Sequence, residues 1–162
     1  MLVFARGELP LTDRVTPAQL MQSLQAAALT HVQDLPIRWQ CDSHSGELLC
    51  NRDTLVGAIL NLIENAIQAG AGQLRLKIHL YTRGNTLRLC VSDSGSGIDA
   101  AVLARLGEPF FTTKTTGTGL GLTVVKAVAR AHQGELQLRS RLGRGTCAQV
   151  ILPLFSNAQG AE

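Results

Sequence analysis

The chain has 162 residues, 45% of them hydrophobic, and a formal net charge of +3 at pH 7. This length fits one domain with a hydrophobic core of its own. The charge is small and dispersed, and no short segment concentrates lysine and arginine with aromatic residues, which excludes a basic nucleic-acid-binding surface. No run approaches the roughly 18 apolar residues of a membrane-spanning helix, and the N-terminus lacks a signal-peptide pattern. We therefore expect a cytoplasmic domain that does not itself contact a membrane.

The four cysteines are spread widely along the chain, with no C-x-x-C pair. Three of them lie in apolar, strand-like stretches, where a thiol packs as a small hydrophobic group. The pattern predicts buried, reduced thiols at Cys41, Cys50, Cys90 and Cys147.

The N-terminal half predicts two helices separated by short extended segments. Thr16, followed by a proline, is a helix N-cap, and apolar residues then recur at helical spacing to about residue 32. Residues 37–41 resemble a strand, and residues 48–49 a short extended piece. Asn51 or Asp53 can cap the second helix, which is expected to end before the next glycine.

The C-terminal half alternates between regular segments and one long irregular one. Apolar and polar residues alternate in pairs of segments, which is typical of hairpins with one buried face. The irregular segment holds many glycines and threonines and is expected to form a mobile loop. The predicted elements are a hairpin of residues 73–82 and 86–92, a loop over 94–118, a helix over 120–132, and a hairpin of 135–140 and 146–152.

The second helix carries one narrow polar stripe on an otherwise hydrophobic surface. The stripe contains Gly57, Asn61, Glu64, Asn65 and Gln68, spaced so that they share one face. A solvated face would be wider and more charged. Carboxamides on a largely buried helix either line a polar cavity, where an amide oxygen can coordinate Mg²⁺, or form a satisfied structural stripe. The stripe alone does not decide between these two interpretations.

A carboxylate followed by alternating glycines ends the first predicted hairpin. Asp93 can accept a hydrogen bond from an exocyclic amine, and Gly95 and Gly97 let the backbone approach a flat ligand. A simple capped turn is the alternative. The dinucleotide fingerprint G-x-G-x-x-A also fits, with Ala100 as its last residue, but the acidic residue expected about twenty positions later is missing.

A second glycine cluster, residues 117–123, opens the helix predicted over residues 120–132. Backbone amides at a helix N-terminus can bind an anion. The cluster is not a P-loop, because no lysine precedes Thr123. Lys114, just upstream, is the nearest cation for a phosphate, or else an ordinary solvated loop lysine. Phe110 and Phe111 lie between the two glycine clusters and either anchor the loop or simply pack beneath it.

Four segments in this order resemble the N, G1, F and G2 boxes of sensor histidine kinase catalytic domains. They are Asn61 to Asn65, Asp93 to Gly97, Phe110-Phe111 and Gly117 to Gly121, and Gly145-Thr146 resembles the family's last strand entry. The phrases E-P-F-F-T-T-K and N-L-I-E-N-A-I-Q-A are similar to the nitrogen-regulation type of sensor kinase, including flagellar sensor kinases. The resemblance covers residues 12–154. It implies an α/β sandwich of the Bergerat (GHKL) type, a mixed sheet with helices on one face and an ATP lid.

The resemblance also implies the role of each site residue. Asn65 would bind Mg²⁺ with support from Asn61, and Asp93 would hold the adenine amine. Asn61, Asn65 and Lys114 would be the catalytic residues, Thr146 would assist at the adenine through water, and residues 98–118 would form the lid. The implied ATP site comprises Asn61, Asn65, Asp93, Gly95, Gly97, Ile98, Phe110, Lys114, Gly117, Thr118, Gly119, Leu120, Gly121, Leu122 and Thr146.

One feature favours a kinase over related ATPases, and one residue departs from the kinase pattern. Hydrolases of the gyrase, chaperone and mismatch-repair type place a glutamate four residues before the metal-binding asparagine, whereas this chain has Asn61 there. Without that base, attack by water is expected to be slow. Gln68 stands where many kinases of the family have a basic residue, which leaves the phosphate charge to Mg²⁺ and Lys114. Anti-sigma serine kinases and a pure nucleotide-sensing module are the remaining alternatives.

No histidine of the chain stands in the H-E-x-x-N/R-P setting of a phosphoacceptor helix, so His31, His44, His79 and His132 are expected to be ordinary surface or packing residues. The acceptor is therefore expected on a dimerisation domain outside this sequence, in a homodimeric protein that passes the phosphoryl group to a response regulator. Residues 1–11 are interpreted as the end of the dimerisation helix and a linker, and residues 155–162 as a loose tail.

Overall fold

The computed structural model describes residues 9–31, 36–43, 45–69, 74–95, 97–105 and 121–155. These ranges contain seven strands and four helices. Their bounds are β1 Asp13–Val15, α1 Pro17–His31, β2 Ile37–Cys41, β3 Leu48–Cys50, α2 Arg52–Ala69, β4 Leu76–Arg83, β5 Thr86–Asp93, α3 Ala100–Leu103, α4 Gly121–Ala131, β6 Glu135–Arg141 and β7 Gly145–Pro153.

Five strands form one mixed sheet in the order β2-β4-β5-β7-β6. The edge strand β2 is parallel to β4, and every other pairing is antiparallel. The two short strands β1 and β3 pair separately. The order explains the position of the site described below, because β5 and β7 are neighbours at the centre of the sheet although helix α4 and strand β6 separate them in sequence.

The hydrophobic core lies between one face of this sheet and helices α1, α2 and α4. Alternate residues of the central strands are buried on that face, as the period-two pattern of their sequences predicts. From the helices, Leu24, Ile59, Ile63 and Val125 contribute fully buried side chains. A mixed sheet with helices on one face is the expected α/β sandwich, and this prediction is confirmed.

The helix starts follow from their capping residues. At α1 the Gln19 amide donates to Thr16 Oγ1 (3.1 Å) and the Thr16 amide donates to Gln19 Oε1 (3.0 Å), a reciprocal capping box. At α2 the Thr54 amide donates to Asn51 Oδ1 (3.2 Å). Of the two caps predicted for α2, Asn51 is therefore the residue that accepts this bond.

Two short elements and two thiols differ from the sequence-based predictions. Strand β1 was not predicted, and helix α3 lies within the segment predicted to be an irregular loop. All four cysteines are free, but only Cys50 and Cys90 are buried. Cys41 and Cys147 are partly exposed, so the prediction of burial is wrong for these two. Within the described ranges, no helix has the length and apolar character needed to cross a membrane.

The buried His132 joins the end of α4 to the start of α2. Its Nε2 accepts a hydrogen bond from the Asn51 amide (3.0 Å), and its Nδ1 lies 2.8 Å from the Val128 carbonyl oxygen. Burial lowers the pKa of His132 below its ordinary value, and the two backbone hydrogen bonds only partly oppose this effect. His132 is thus a packing residue, as its sequence setting predicts.

Acid is expected to destabilise the domain through His132. Because its folded-state pKa is lowered, the unfolded chain binds more protons than the folded chain between that pKa and the ordinary value of 6.5. Stability should therefore decrease as the pH falls below 6.5. Urea denaturation between pH 8 and pH 5 measures the effect. His132→Gln keeps an acceptor for the Asn51 amide and should remove most of this slope, and an unchanged slope would contradict the assignment.

Candidate functional site

The polar stripe of α2 lies at the border of the core. Asn61 and Asn65 are partly exposed, whereas Leu62, Ile63 and Ala66 beside them are buried. Helix α2 packs against both β5 and α4. The two carboxamides therefore belong to the helix that adjoins the strand of Asp93 and the helix opened by the second glycine cluster.

Asp93, the last residue of β5, is a half-buried carboxylate with backbone partners. Its Oδ1 accepts a hydrogen bond from the Gly95 amide (2.8 Å), and the Thr146 amide of β7 also donates to the carboxylate. Burial raises the pKa of Asp93, and these two hydrogen bonds only partly compensate. A carboxylate that has lost part of its hydration gains from a ligand that brings a further hydrogen-bond donor.

Ser140 connects three segments around Asp93, and the sequence analysis did not identify it. Its Oγ accepts a hydrogen bond from the Ile98 amide (2.7 Å), donates to the Gly145 carbonyl (3.0 Å) and lies 2.7 Å from Thr146 Oγ1. A serine inside a strand carries no local signal for such a role. Ser140 fixes the backbone after Gly97 against the hairpin that carries Thr146.

Two glycines near Asp93 are required by close backbone contacts. A Cβ at Gly97, where φ is +77°, would lie 1.9 Å from the Arg141 carbonyl oxygen. A Cβ at Gly145, where φ is +104°, would lie 2.0 Å from the Asp93 carbonyl oxygen. The absent side chain at Gly97 thus lets the loop after β5 lie directly against the β6–β7 hairpin, in addition to any contact with a ligand.

The structure brings part of the predicted site together. Asp93, Gly95, Gly97, Ile98 and Thr146 meet at the end of β5 and the start of β7. Gly121 begins α4, and Leu122 packs against the core. Asn61 and Asn65 lie on α2, as described above. The remaining predicted site residues lie outside the described residues, as does most of the predicted lid; these site residues are Phe110, Lys114, Gly117, Thr118, Gly119 and Leu120.

The dinucleotide-binding interpretation does not fit this topology. A βαβ unit needs a parallel neighbour for the strand that precedes its glycine loop. Both neighbours of β5 are antiparallel, and the helix that follows it, α3, has only four residues. The glycines after Asp93 therefore do not belong to a dinucleotide fold.

In the part of the chain that the structure describes, no three histidine, cysteine, aspartate or glutamate side chains cluster as metal ligands. The carboxamide oxygens of α2 suit a hard cation that receives its other ligands from water and phosphate.

Comparison with known proteins identifies the family. Residues 50–156, more than half of the chain, match the histidine kinase-, DNA gyrase B- and HSP90-like ATPases, and the chain belongs to this family. It is 74% identical over 158 residues to the sensor protein kinase FleS of Pseudomonas aeruginosa, covering 98% of this chain and 39% of that protein. The chain thus spans about two fifths of this relative. The narrower resemblance to a flagellar sensor kinase fits this relative.

Solved structures of histidine kinases share the fold. The catalytic domain of histidine kinase ThkA has a TM-score of 0.75 at 24% identity, over 87% of this chain and 94% of that domain. Full-length ShkA in complex with AMPPNP has a TM-score of 0.71 at 26% identity, over 85% of this chain and 30% of that protein.

Replacing Ser140 by alanine is expected to weaken nucleotide binding, although the serine side chain does not itself contact the nucleotide. The change leaves the Ile98 amide and the Gly145 carbonyl without this partner, at a cost of about 1–3 kcal/mol. We expect ATP affinity to fall about tenfold, measured by calorimetry. Ser92→Ala, one residue from Asp93 on the opposite face of the sheet, is the matched control. Equal affinities of the two variants would contradict the role of Ser140.

Proposed function

We propose that this domain binds Mg²⁺ and ATP and donates the γ-phosphate to a histidine on the dimerisation domain of a two-component sensor kinase, in the cytoplasm. The histidine then passes the phosphoryl group to a response regulator. Membership of the ATPase family and the 74% identity to a sensor protein kinase support this proposal.

The half-buried Asp93 is the observation that best supports ATP as the ligand. Its described partners are two backbone amides, which leaves acceptor capacity on the carboxylate for an exocyclic amine. Adenine offers such an amine, whereas guanine presents a carbonyl at the corresponding position. The AMPPNP complex of the similar protein ShkA supports an adenine nucleotide here as well.

The other site residues have complementary tasks in this proposal. Gly97 and Ile98, held by the β6–β7 hairpin, form a fixed wall beside the base. Asn65, supported by Asn61, holds Mg²⁺, which offsets the phosphate charge. The glycines of residues 117–121 provide amides for the phosphates at the start of α4, and Lys114 supplies a positive charge there.

Transfer to a histidine, rather than hydrolysis, follows from what the chain provides near the phosphates. Asn61 stands where related hydrolases have a glutamate, and an amide cannot take a proton from water at neutral pH. The two histidines with described side chains are not placed as acceptors. His132 is buried with both ring nitrogens in hydrogen-bonding contacts, and His79 lies on the face of the sheet opposite the helices and Asp93.

Calorimetric titration with ATP and GTP, with and without Mg²⁺, tests the binding half of the proposal. We expect ATP to bind about tenfold or more tightly than GTP, because guanine would set its carbonyl against the Asp93 carboxylate at a cost of about 1–3 kcal/mol. Equal affinities for the two nucleotides would overturn the adenine role of Asp93.

Replacing Asn65 by alanine is expected to remove most of the gain in ATP affinity that Mg²⁺ provides. Affinity measured in excess chelator should change little, because the adenine contacts at Asp93 remain. Gln68→Ala, an exposed position on the same stripe, is the control and should keep the response to Mg²⁺. A full Mg²⁺ response in Asn65→Ala would show that another residue holds the ion.

A further inference from the structure

The face of the sheet opposite the helices carries a connected polar cluster around two cysteines. Gln149 Nε2 donates to Tyr81 Oη (2.7 Å) and to Cys90 Sγ (3.2 Å). Tyr81 in turn stacks on His79, with ring centroids 4.9 Å apart. None of these side chains belongs to the hydrophobic cluster between the sheet and the helices, or to the nucleotide site described above.

The strand register places the two thiols side by side. Cys90 on β5 pairs with Gln149 on β7, and Ser92 pairs with Cys147. Cys90 and Cys147 are therefore diagonal neighbours on the same face, because residues two apart on a strand point to the same side. The two thiols are close enough to shift each other's pKa in opposite directions.

The surroundings of the two thiols are unequal. The neighbouring Cys90 thiol, the Ser92 hydroxyl and the Arg139 charge together lower the pKa of Cys147 to about 6, against the opposing effects of burial and of the Asp93 charge. The Cys147 side chain and burial in turn raise the pKa of Cys90. Cys147 is partly exposed and Cys90 is buried. This is the arrangement of an attacking thiolate with a thiol beside it that can resolve its oxidised form.

We propose that Cys147 and Cys90 form a peroxide-sensitive thiol pair that closes reversibly to a disulfide. The Cys147 thiolate attacks the O–O bond of a hydroperoxide, which yields a sulfenic acid and releases water from hydrogen peroxide or an alcohol from an organic hydroperoxide. The Cys90 thiol then attacks the Cys147 sulfur, forms the S–S bond and displaces the hydroxyl group, which leaves as water. A dithiol reductant returns both thiols.

Closing this disulfide is expected to disturb the adenine end of the nucleotide site, a consequence that rests on the proposed function. Diagonal cross-strand neighbours lie about 7–8 Å apart, beyond the span of an unstrained disulfide, so the backbones of β5 and β7 have to shift. Cys147 directly follows Thr146, which pairs with Asp93 in the same ladder. A shift there changes the contact between the Thr146 amide and the Asp93 carboxylate.

The test treats the reduced chain with hydrogen peroxide and follows each cysteine by peptide mass spectrometry. Cys50 is the internal control, because burial above all raises its pKa to about 11 and, in the described part of the chain, it has no thiol neighbour. A lower pKa gives Cys147 a larger thiolate fraction than Cys50, although each thiolate is a weaker nucleophile. Because the first effect is larger, Cys147 should react roughly tenfold or more faster than Cys50. The product should be a linked peptide pair of Cys90 and Cys147 that dithiothreitol separates, and Cys90→Ser should stop at a sulfenic acid trapped by dimedone.

ATP titration of the oxidised and re-reduced chains completes the test, with an expected affinity loss of about fivefold or more that dithiothreitol reverses. Oxidation of Cys147 no faster than that of Cys50, or oxidation without the linked pair, would overturn the thiol pair. A linked pair with unchanged ATP affinity would overturn its effect on the site. If the reduced chain binds no ATP, the proposed function fails, while the peptide measurement still decides whether the thiol pair exists.

Discussion

Replacing Asp93 by alanine is expected to reduce ATP affinity about tenfold to a hundredfold. The carboxylate supplies a charged acceptor to the adenine amine, and a hydrogen bond to a charged group contributes about 1.5–3 kcal/mol. The variant also releases the Gly95 and Thr146 amides, which now donate to this carboxylate. Isothermal titration calorimetry with ATP measures the loss.

Asp93→Asn separates the contribution of the carboxylate to adenine binding from the loss of its bonds to the Gly95 and Thr146 amides. An asparagine keeps one acceptor oxygen but replaces the other by an NH₂ group, which cannot accept from the adenine amine, and it removes the charge whose burial raises the pKa of Asp93. We expect this variant to lose most of the ATP affinity and the preference over GTP while remaining folded. ATP binding by Asp93→Asn at the affinity of the unchanged chain would contradict the role given to the carboxylate.

Replacing Gly145 by alanine is expected to cost about 3 kcal/mol or more of folding stability, and to abolish most ATP binding. The new Cβ would meet the Asp93 carbonyl oxygen at 2.0 Å, at a φ of +104° that a residue with a side chain rarely adopts. Because the obstructing atom is backbone of a central strand, the β5–β7 ladder has to separate next to Asp93. Urea denaturation and ATP titration measure the two effects.

Gly143 provides the matched control in the same hairpin. It also has a positive φ, +79°, but nothing lies within 4 Å of its added Cβ. Gly143→Ala should therefore cost only about 1 kcal/mol, the conformational penalty alone, and keep ATP affinity. Equal destabilisation by the two changes would mean that backbone conformation, not the close contact with β5, accounts for Gly145.

Local patterns were enough to predict most of the elements. Alternating apolar residues predicted β4, β5 and β7, and the capping residues Thr16 and Asn51 mark the starts of α1 and α2. The parallel pairing of β2 with β4 joins strands that β3 and α2 separate in sequence, and it has no local signature. Strand β1 has three residues, and α3 has four residues with none buried, so neither carries a periodic pattern long enough to detect.

The site residues were predicted unevenly, because only contacts within one short stretch of sequence leave a local pattern. Asp93 and its glycines stand in one short motif, so the motif boxes identify them. Ser140 acts through partners in three separate segments and cannot be recognised from its neighbours in sequence. The pairing of Cys90 with Cys147 depends on the register of β5 with β7, which the sequence alone does not specify.

The transfer of label from γ-³²P-ATP tests most directly whether this domain donates a phosphoryl group to a histidine elsewhere. The chain is incubated with Mg²⁺ and labelled ATP, alone and with a separately supplied helical domain that carries an acceptor histidine. We expect no phosphohistidine and only slow hydrolysis when the chain is alone, and weak transfer to the added domain, because the effective concentration of a tether is lost. Label on one of the chain's own histidines, or rapid hydrolysis of ATP, would contradict the proposed division of roles.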